Sequence, residues 1–212
     1  MDLSRLRIRR LEMDETRLLF TLVNGMRVDV LLSGYPALAR AKPALCPHWQ
    51  LTEDGYGVNW PDLAVPTTAG LLNILELLWK RRIEQAQLCL RTLHGCFDML
   101  TLQHRELIGL DRLDMDMSGG GFARFFDSRD EATRTYALQA LDVIGAHQLH
   151  QAIVGLNGLF GRLEQDLALL SVEDIIAAMD PLDKQRVEAW EQVYYAQSEH
   201  VARLGLTHYG LE

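Results

Sequence analysis

The sequence predicts an α+β protein, in which a small β-rich N-terminal module is joined by a long helix to an all-helical C-terminal domain. Three observations lead there. Residues 5–32 alternate apolar and polar positions around an Asn-Gly pair. From Thr67 the apolar spacing changes to three- and four-residue steps. Beyond Phe97 the chain carries only helical stripes and helix punctuation. The expected divisions are a small α/β module over 1–66, a connecting helix over 67–94 and a helical domain over 95–210.

Arg5 to Leu11 sets Leu6 and Ile8 among arginines, the alternation of a half-buried strand. Thr16 to Val23 and Met26 to Leu32 flank Asn24-Gly25, a pair that tolerates the positive φ of a type I′ turn and so predicts a hairpin. Tyr35-Pro36 opens a short helical piece to Ala41, with proline in the first turn, where its missing N–H costs nothing. Trp49-Gln50-Leu51 and Tyr56 to Trp60 form a second expected strand pair across Glu53-Asp54-Gly55, ended by Pro61.

Leu71, Leu75, Leu78, Ile83, Ala86, Leu90, Leu93 and Phe97 then make one face of a long helix. Lys80, Arg81 and Arg82 read as its solvated side. Phe97 to Ile108 carries a further apolar stripe. Ser128-x-x-Glu131 has the pattern of a capping box, and Gly145 suits the end of the helix it opens. His147 to Phe160 is helical by its stripe, Ser171 starts a short helix, and Asp180-Pro181 pairs an N-cap with a first-turn proline; Gly205 is the expected stop of that last segment.

Charge is segregated. Of 21 Lys/Arg and 29 Asp/Glu, residues 1–80 hold nine of each, so the whole net charge of -8 belongs to residues 81–212. An acidic second half disfavours direct nucleic-acid and anionic-membrane binding and favours basic partners. Three cysteines, Cys46, Cys89 and Cys96, form no CxxC pair and fit a reduced cytoplasmic setting. No apolar run approaches the ~20 residues of a membrane span, and Met1 to Arg10 lacks the apolar stretch of a signal peptide.

The motifs that could carry chemistry are incomplete. Asp114-x-Asp116-x-Ser118-Gly119 begins like a calcium loop, but its twelfth position, where a carboxylate must close the cage, is Phe125; Asp111, Asp114 and Asp116 read instead as a solvated acidic turn. His147-x-x-His150 has zinc-like spacing without further ligands, and Cys46-Pro47-His48 and His94-Gly95-Cys96 have no spaced partner pair. No GxSxG or P-loop is present. The reading is of a protein without catalytic, cofactor or metal residues. Gly119-Gly120-Gly121 with Phe122, Phe125 and Phe126 forms a scaffold turn, the glycines adopting backbone angles closed to other residues and the rings anchoring it in a core.

Met117-Ser118-Gly119-Gly120-Gly121-Phe122-Ala123-Arg124-Phe125-Phe126-Asp127-Ser128, with Ala140 to Ala146 and the closing segment from Met179 to Leu206, resembles the DNA-mimic protein family, a bacterial group. The resemblance covers residues 95–209; Gly119 stands where the family usually has Asn, and Arg124 where it often has Gln. It implies an all-helical, often homodimeric domain whose carboxylates take the place of DNA phosphates on a regulator. Residues 5–80, through Asn24-Gly25, Gly55 to Leu63 and Gly70-Leu71-Leu72, are similar to a small bacterial α/β domain of unknown function sometimes encoded near toxin–antitoxin genes.

These readings converge on a cytoplasmic, non-enzymatic protein-interaction module. Its expected partner is a basic DNA-binding protein, and its contact candidates are Asp111, Asp114, Asp116, Asp127, Asp130 and Glu131. One rival is an enzyme or small-ligand-binding protein using a cleft between the halves, marked by a pocket gathering His104, Glu106, His147 or His150. Another is an antitoxin-like partner acting through the N-terminal module.

Overall fold

The computed structural model describes residues 1–41, 48–63, 67, 70–127, 131–167 and 171–211, without the side chains of 127 and 164–167. It is an α+β protein. Two compact units divide it, Met1–Trp79 and Lys80–Glu212.

The first unit holds two three-stranded antiparallel sheets. In one, β1 (Ile8–Met13), β2 (Arg17–Leu22) and β3 (Arg27–Leu31) pair in sequence order, with Leu18, Phe20 and Leu22 on the buried face of the central strand. The Asn24-Gly25 hairpin forms, but not as type I′. Only Gly25 has positive φ, at 85°, and its N–H donates to the Leu22 carbonyl while the Leu22 N–H donates to the Met26 carbonyl. This is a type I turn closed by a glycine bulge; Asn24 stays out of the left-handed region and accepts the Met26 N–H on its side chain. A short helix α1 (Pro36–Ala39) follows.

The second sheet joins β4 (Gln50–Leu51), β5 (Gly57–Asn59) and β6 (Leu72–Asn73). Asn59, buried, ties this region: its amide donates to the Thr67 carbonyl, and its oxygen accepts from Thr67 and Leu71 N–H. That tie, together with pairing of Leu72 and Asn73 to β5, keeps the chain extended where a helix was expected from Thr67. Helix α2 therefore runs only over Ile74–Thr92, with the Asn73 side chain accepting the Leu75 N–H at its start. It ends in a Schellman arrangement, Gly95 N–H to Leu90 carbonyl and His94 N–H to Arg91 carbonyl, with His94 at φ 52°.

The Lys80-Arg81-Arg82 run is solvated at Lys80 and Arg81 only. Arg82 is buried, and its Nη1 donates to Gln85.

The second unit is helical. After a 3-10 turn over Phe97–Met99 come α3 (Leu102–Asp127), α4 (Glu131–Val143), α5 (His147–Leu167), α6 (Val172–Ala178) and α7 (Pro181–Tyr209). The caps explain most boundaries. Ser171 accepts the Asp174 N–H, Asp180 accepts the Asp183 N–H beside Pro181, and Gly145 ends α4 at φ 82°. The expected capping serine, Ser128, lies outside the described residues. Gly205 does not stop α7: it is buried within the helix, which continues to a cap at Gly210.

Helix α3 packs along α4, and α5 along α4 and α7. Gly109 makes the first contact intimate, because a Cβ there would lie 2.6 Å from the Ala137 nitrogen. Leu107, Leu113, Met117, Ala137, Leu141, Ile153, Leu156 and Leu206 fill the centre. The end of α7 is clasped to the start of α3 by the Tyr209 hydroxyl, which donates to Glu106 at 3.1 Å.

Burial raises the Glu106 pKa above its ordinary 4.5, only partly offset by that hydrogen bond and by the charge of His208. A raised folded-state value means that Glu106 contributes its stability below the unfolded pKa and loses it as pH rises through the folded one. Glu106→Gln, which stays neutral and can still accept from Tyr209, should gain on the parent protein between about pH 4 and pH 7. Urea midpoints across that range check this; parallel profiles contradict it.

Candidate functional site

The site is built on a bend in α3. Its first leg reaches Gly119, and the run of helical angles breaks at Gly120 and Gly121. Gly121 has φ 65° and ψ -157°, a conformation that strains any residue with a Cβ. Beyond the bend Phe122 and Phe125 enter the core, Phe122 meeting the Tyr194 ring edge-on; Phe126 is half-buried and stacks on Phe160 at 4.5 Å. The turn is a kink inside one long helix, with Phe122 and Phe125 fully buried beyond it.

Beneath the bend sits Asp116. Its side chain is 1% exposed, and two arginines reach it from opposite sides along the chain. Arg112, one helical turn earlier, donates from Nε to Oδ2 at 2.7 Å. Arg124, from the far side of the kink, brings its Nε to 3.3 Å from Oδ1 without hydrogen-bond geometry. Arg124 gets there by lying across the glycines. A Cβ on Gly119 would be 2.5 Å from Nη1 of Arg124, and one on Gly120 would be 3.0 Å from the Arg124 Cβ. The glycines thus do two things: they bend the helix, and they leave a bare backbone ledge for a folded-back guanidinium.

This overturns the solvated acidic turn. Residues 111–116 are helical, so they cannot wrap an ion as a calcium loop does, and Asp116 faces inward with its charge compensated. Asp111 is half-buried and accepts from the Gln87 amide at 2.8 Å; burial raises its pKa, that bond lowers it, and nearby Asp114 raises it again. Asp114 is exposed yet accepts the Tyr194 hydroxyl, and Tyr194 is pushed well above the ordinary tyrosine range by burial and by that carboxylate. Glu131 is exposed in the first turn of α4, where a negative charge complements the helix dipole. The side chain of Asp127 and all of Asp130 lie outside the described residues. Of the acidic candidates, then, Asp111 and Asp114 are neighbours tied to other helices, and Asp116 is an internal anchor.

The residues of the enzyme reading have different settings. His104 is half-buried at the start of α3, its pKa lowered by burial and by the Arg82 charge. Glu106 is held by Tyr209. His147 instead shares an open cavity of about 470 Å³ with His200, Gln148, Gln197 and Leu204, and His150 is not among the lining residues. Among the described residues no three His, Cys, Asp or Glu side chains are grouped to hold a metal ion, and no helix is long and apolar enough to cross a membrane.

The decisive partners, Arg112 and Arg124, were not among the candidates read from sequence. The i,i+4 spacing of Arg112 and Asp116 was the available signal for the first. For the second, the only hint was a cation standing where a neutral amide is usual.

The helical unit that contains this bend matches a known family over residues 98–211, more than half of the chain. The chain belongs to the family of DMP19-like proteins. The match contains the whole of α3 to α7, and with it the glycine bend, both arginines and Asp116. No curated protein and no solved structure matches the chain.

Truncating Asp116 leaves two neighbouring guanidiniums without their counter-charge. Asp116→Ala removes a charge-assisted hydrogen bond and the shared counter-charge of two half-exposed guanidiniums, and should cost about 1.5–3 kcal/mol. Asp114→Ala, which removes one hydrogen bond at an exposed carboxylate, should cost about 1 kcal/mol. Chemical denaturation of the two variants checks the order, and equal losses contradict it.

Proposed function

We infer that the helical unit is a protein-interaction module of the DNA-mimic kind, which occupies the DNA-binding face of a basic regulator. Membership of the DMP19-like family carries this reading. The charge distribution supports it, since the net negative charge resides in the second half of the chain. Exposed carboxylates on several helices, among them Asp114, Glu131, Asp142, Glu173, Asp174 and Glu188, give a basic surface anionic groups to meet.

Duplex DNA offers about one charge per 1.7 Å of axis, so a protein imitating it must hold its carboxylates in place. Here rigidity comes from within. The Asp116 clamp fixes the bend, and the hydrogen bonds at Asp111 and Asp114 tie the surface of α3 to α2 and α7. Asp111, Asp114 and Glu131 are the proposed contact residues, with Asp127 and Asp130 completing the set. The proposed partner is a protein rather than nucleic acid, because the unit's net negative charge opposes the approach of a long polyanion.

Competition tests this. Basic regulators of the source organism, each bound to a fluorescent operator duplex, are titrated with the full chain. The expected result is release of the duplex from at least one of them, steeply weakened by salt and weakened several-fold by the double substitution Asp114→Asn, Glu131→Gln. Absence of release from every regulator, or release indifferent to salt and to those substitutions, overturns the reading.

A further inference from the structure

We propose that Arg112 and Arg124 form an oxyanion-binding site on the acidic unit, one that takes a phosphate or carboxylate group at the bend of α3. The two guanidiniums share a single carboxylate, so the trio carries a net charge of +1. Asp116 is consumed in the interior, whereas the side chains of Arg112 and Arg124 are 45% and 53% exposed.

The donor inventory shows what is left over. A guanidinium has five N–H groups in a planar fork. Arg112 spends only its Nε–H, on Asp116 Oδ2, and Arg124 makes no hydrogen bond among the described residues. Among the described residues no acceptor takes the terminal N–H groups of either side chain. The two side chains also meet at one buried carboxylate, Arg112 Nε bonded to Oδ2 at 2.7 Å and Arg124 Nε 3.3 Å from Oδ1, which brings the two guanidiniums to the same place on the surface. Paired forks of this kind match the oxygens of phosphate and carboxylate, and fixing them beforehand removes part of the entropy cost of gripping a ligand.

The bend adds access. Gly119 and Gly120 are exposed and present bare backbone beside Arg124, so no side chain from that turn shields its guanidinium. Glu191 of α7 also borders the bend, its Oε1 lying 2.9 Å from the position a Cβ would take on Gly121. It makes no ion pair with either arginine among the described residues, and its charge opposes anion binding, so that the grip must come from the two guanidiniums. This site is independent of the partner proposed above, as it needs a positive notch and not a negative surface.

The test uses the full chain, with nitrogen-15 in its arginine side chains, titrated with inorganic phosphate and separately with succinate at constant ionic strength. Saturable shifts of the Arg112 and Arg124 Nε–H signals, with those of Arg91 on α2 unmoved, are expected for at least one of the two anions. Saturation by phosphate alone identifies a phosphate site, and saturation by succinate alone a carboxylate site. Arg124→Gln should weaken binding at least about tenfold. Gly119→Ala keeps both charges but displaces the Arg124 guanidinium, and should weaken it too. Circular dichroism confirms that each variant is folded; should Arg124→Gln unfold, Gly119→Ala and the parent titration decide. Shifts that stay linear with both anions, or that saturate equally in the folded variants, overturn the site.

Discussion

A buried carboxylate between two arginines is the constraint on which the helical unit turns. Asp116 is sealed in the interior, and its two neighbours supply counter-charge from either side of the bend. Arg112 comes from the same helical leg and would reach Asp116 in any straight helix. Arg124 does so only because α3 bends and because Gly119 and Gly120 have no side chains in its path. The bend, the glycines and the ion pair are therefore one device. The same bend sends Phe122 and Phe125 into the core. What anchors the fold also sets which groups of α3 face outward.

Much of the architecture was legible because local chemistry and tertiary demand agree. Pro181 behind Asp180, Ser171 before an acidic first turn, and Gly145 after Ile144 each mark a boundary by a mechanism that needs no tertiary information. The exceptions have long-range causes. Leu71 fits a helical stripe, but its N–H is taken by Asn59 and the next two residues pair with β5. Gly205 is a good stop by composition, yet it lies buried within α7 and the helix runs on. At Asn24-Gly25 the hairpin was readable and its turn type was not, since an asparagine that tolerates positive φ is not obliged to adopt it.

The candidate site was less legible, for a specific reason. A list of carboxylates in sequence carries no direction, and here neighbouring ones point different ways. Asp114 is exposed, Asp111 is half-buried and Asp116 is sealed, although all three lie within two helical turns. Only the helical phase, with a kink that sequence marks but does not orient, assigns them to surface or interior. Arg124 is the sharper example. Its departure from the usual amide was visible, whereas its partner eight residues earlier could be found only after the chain had bent.

The most direct measurement of this account is a double-mutant cycle on Asp116 and Arg124, each truncated to alanine alone and together. A shared clamp across the bend predicts a coupling free energy of about 1–3 kcal/mol, with the second truncation costing much less once the first is made. Losses that simply add, within about 0.3 kcal/mol, would show that the arginine and the carboxylate do not hold the bend together.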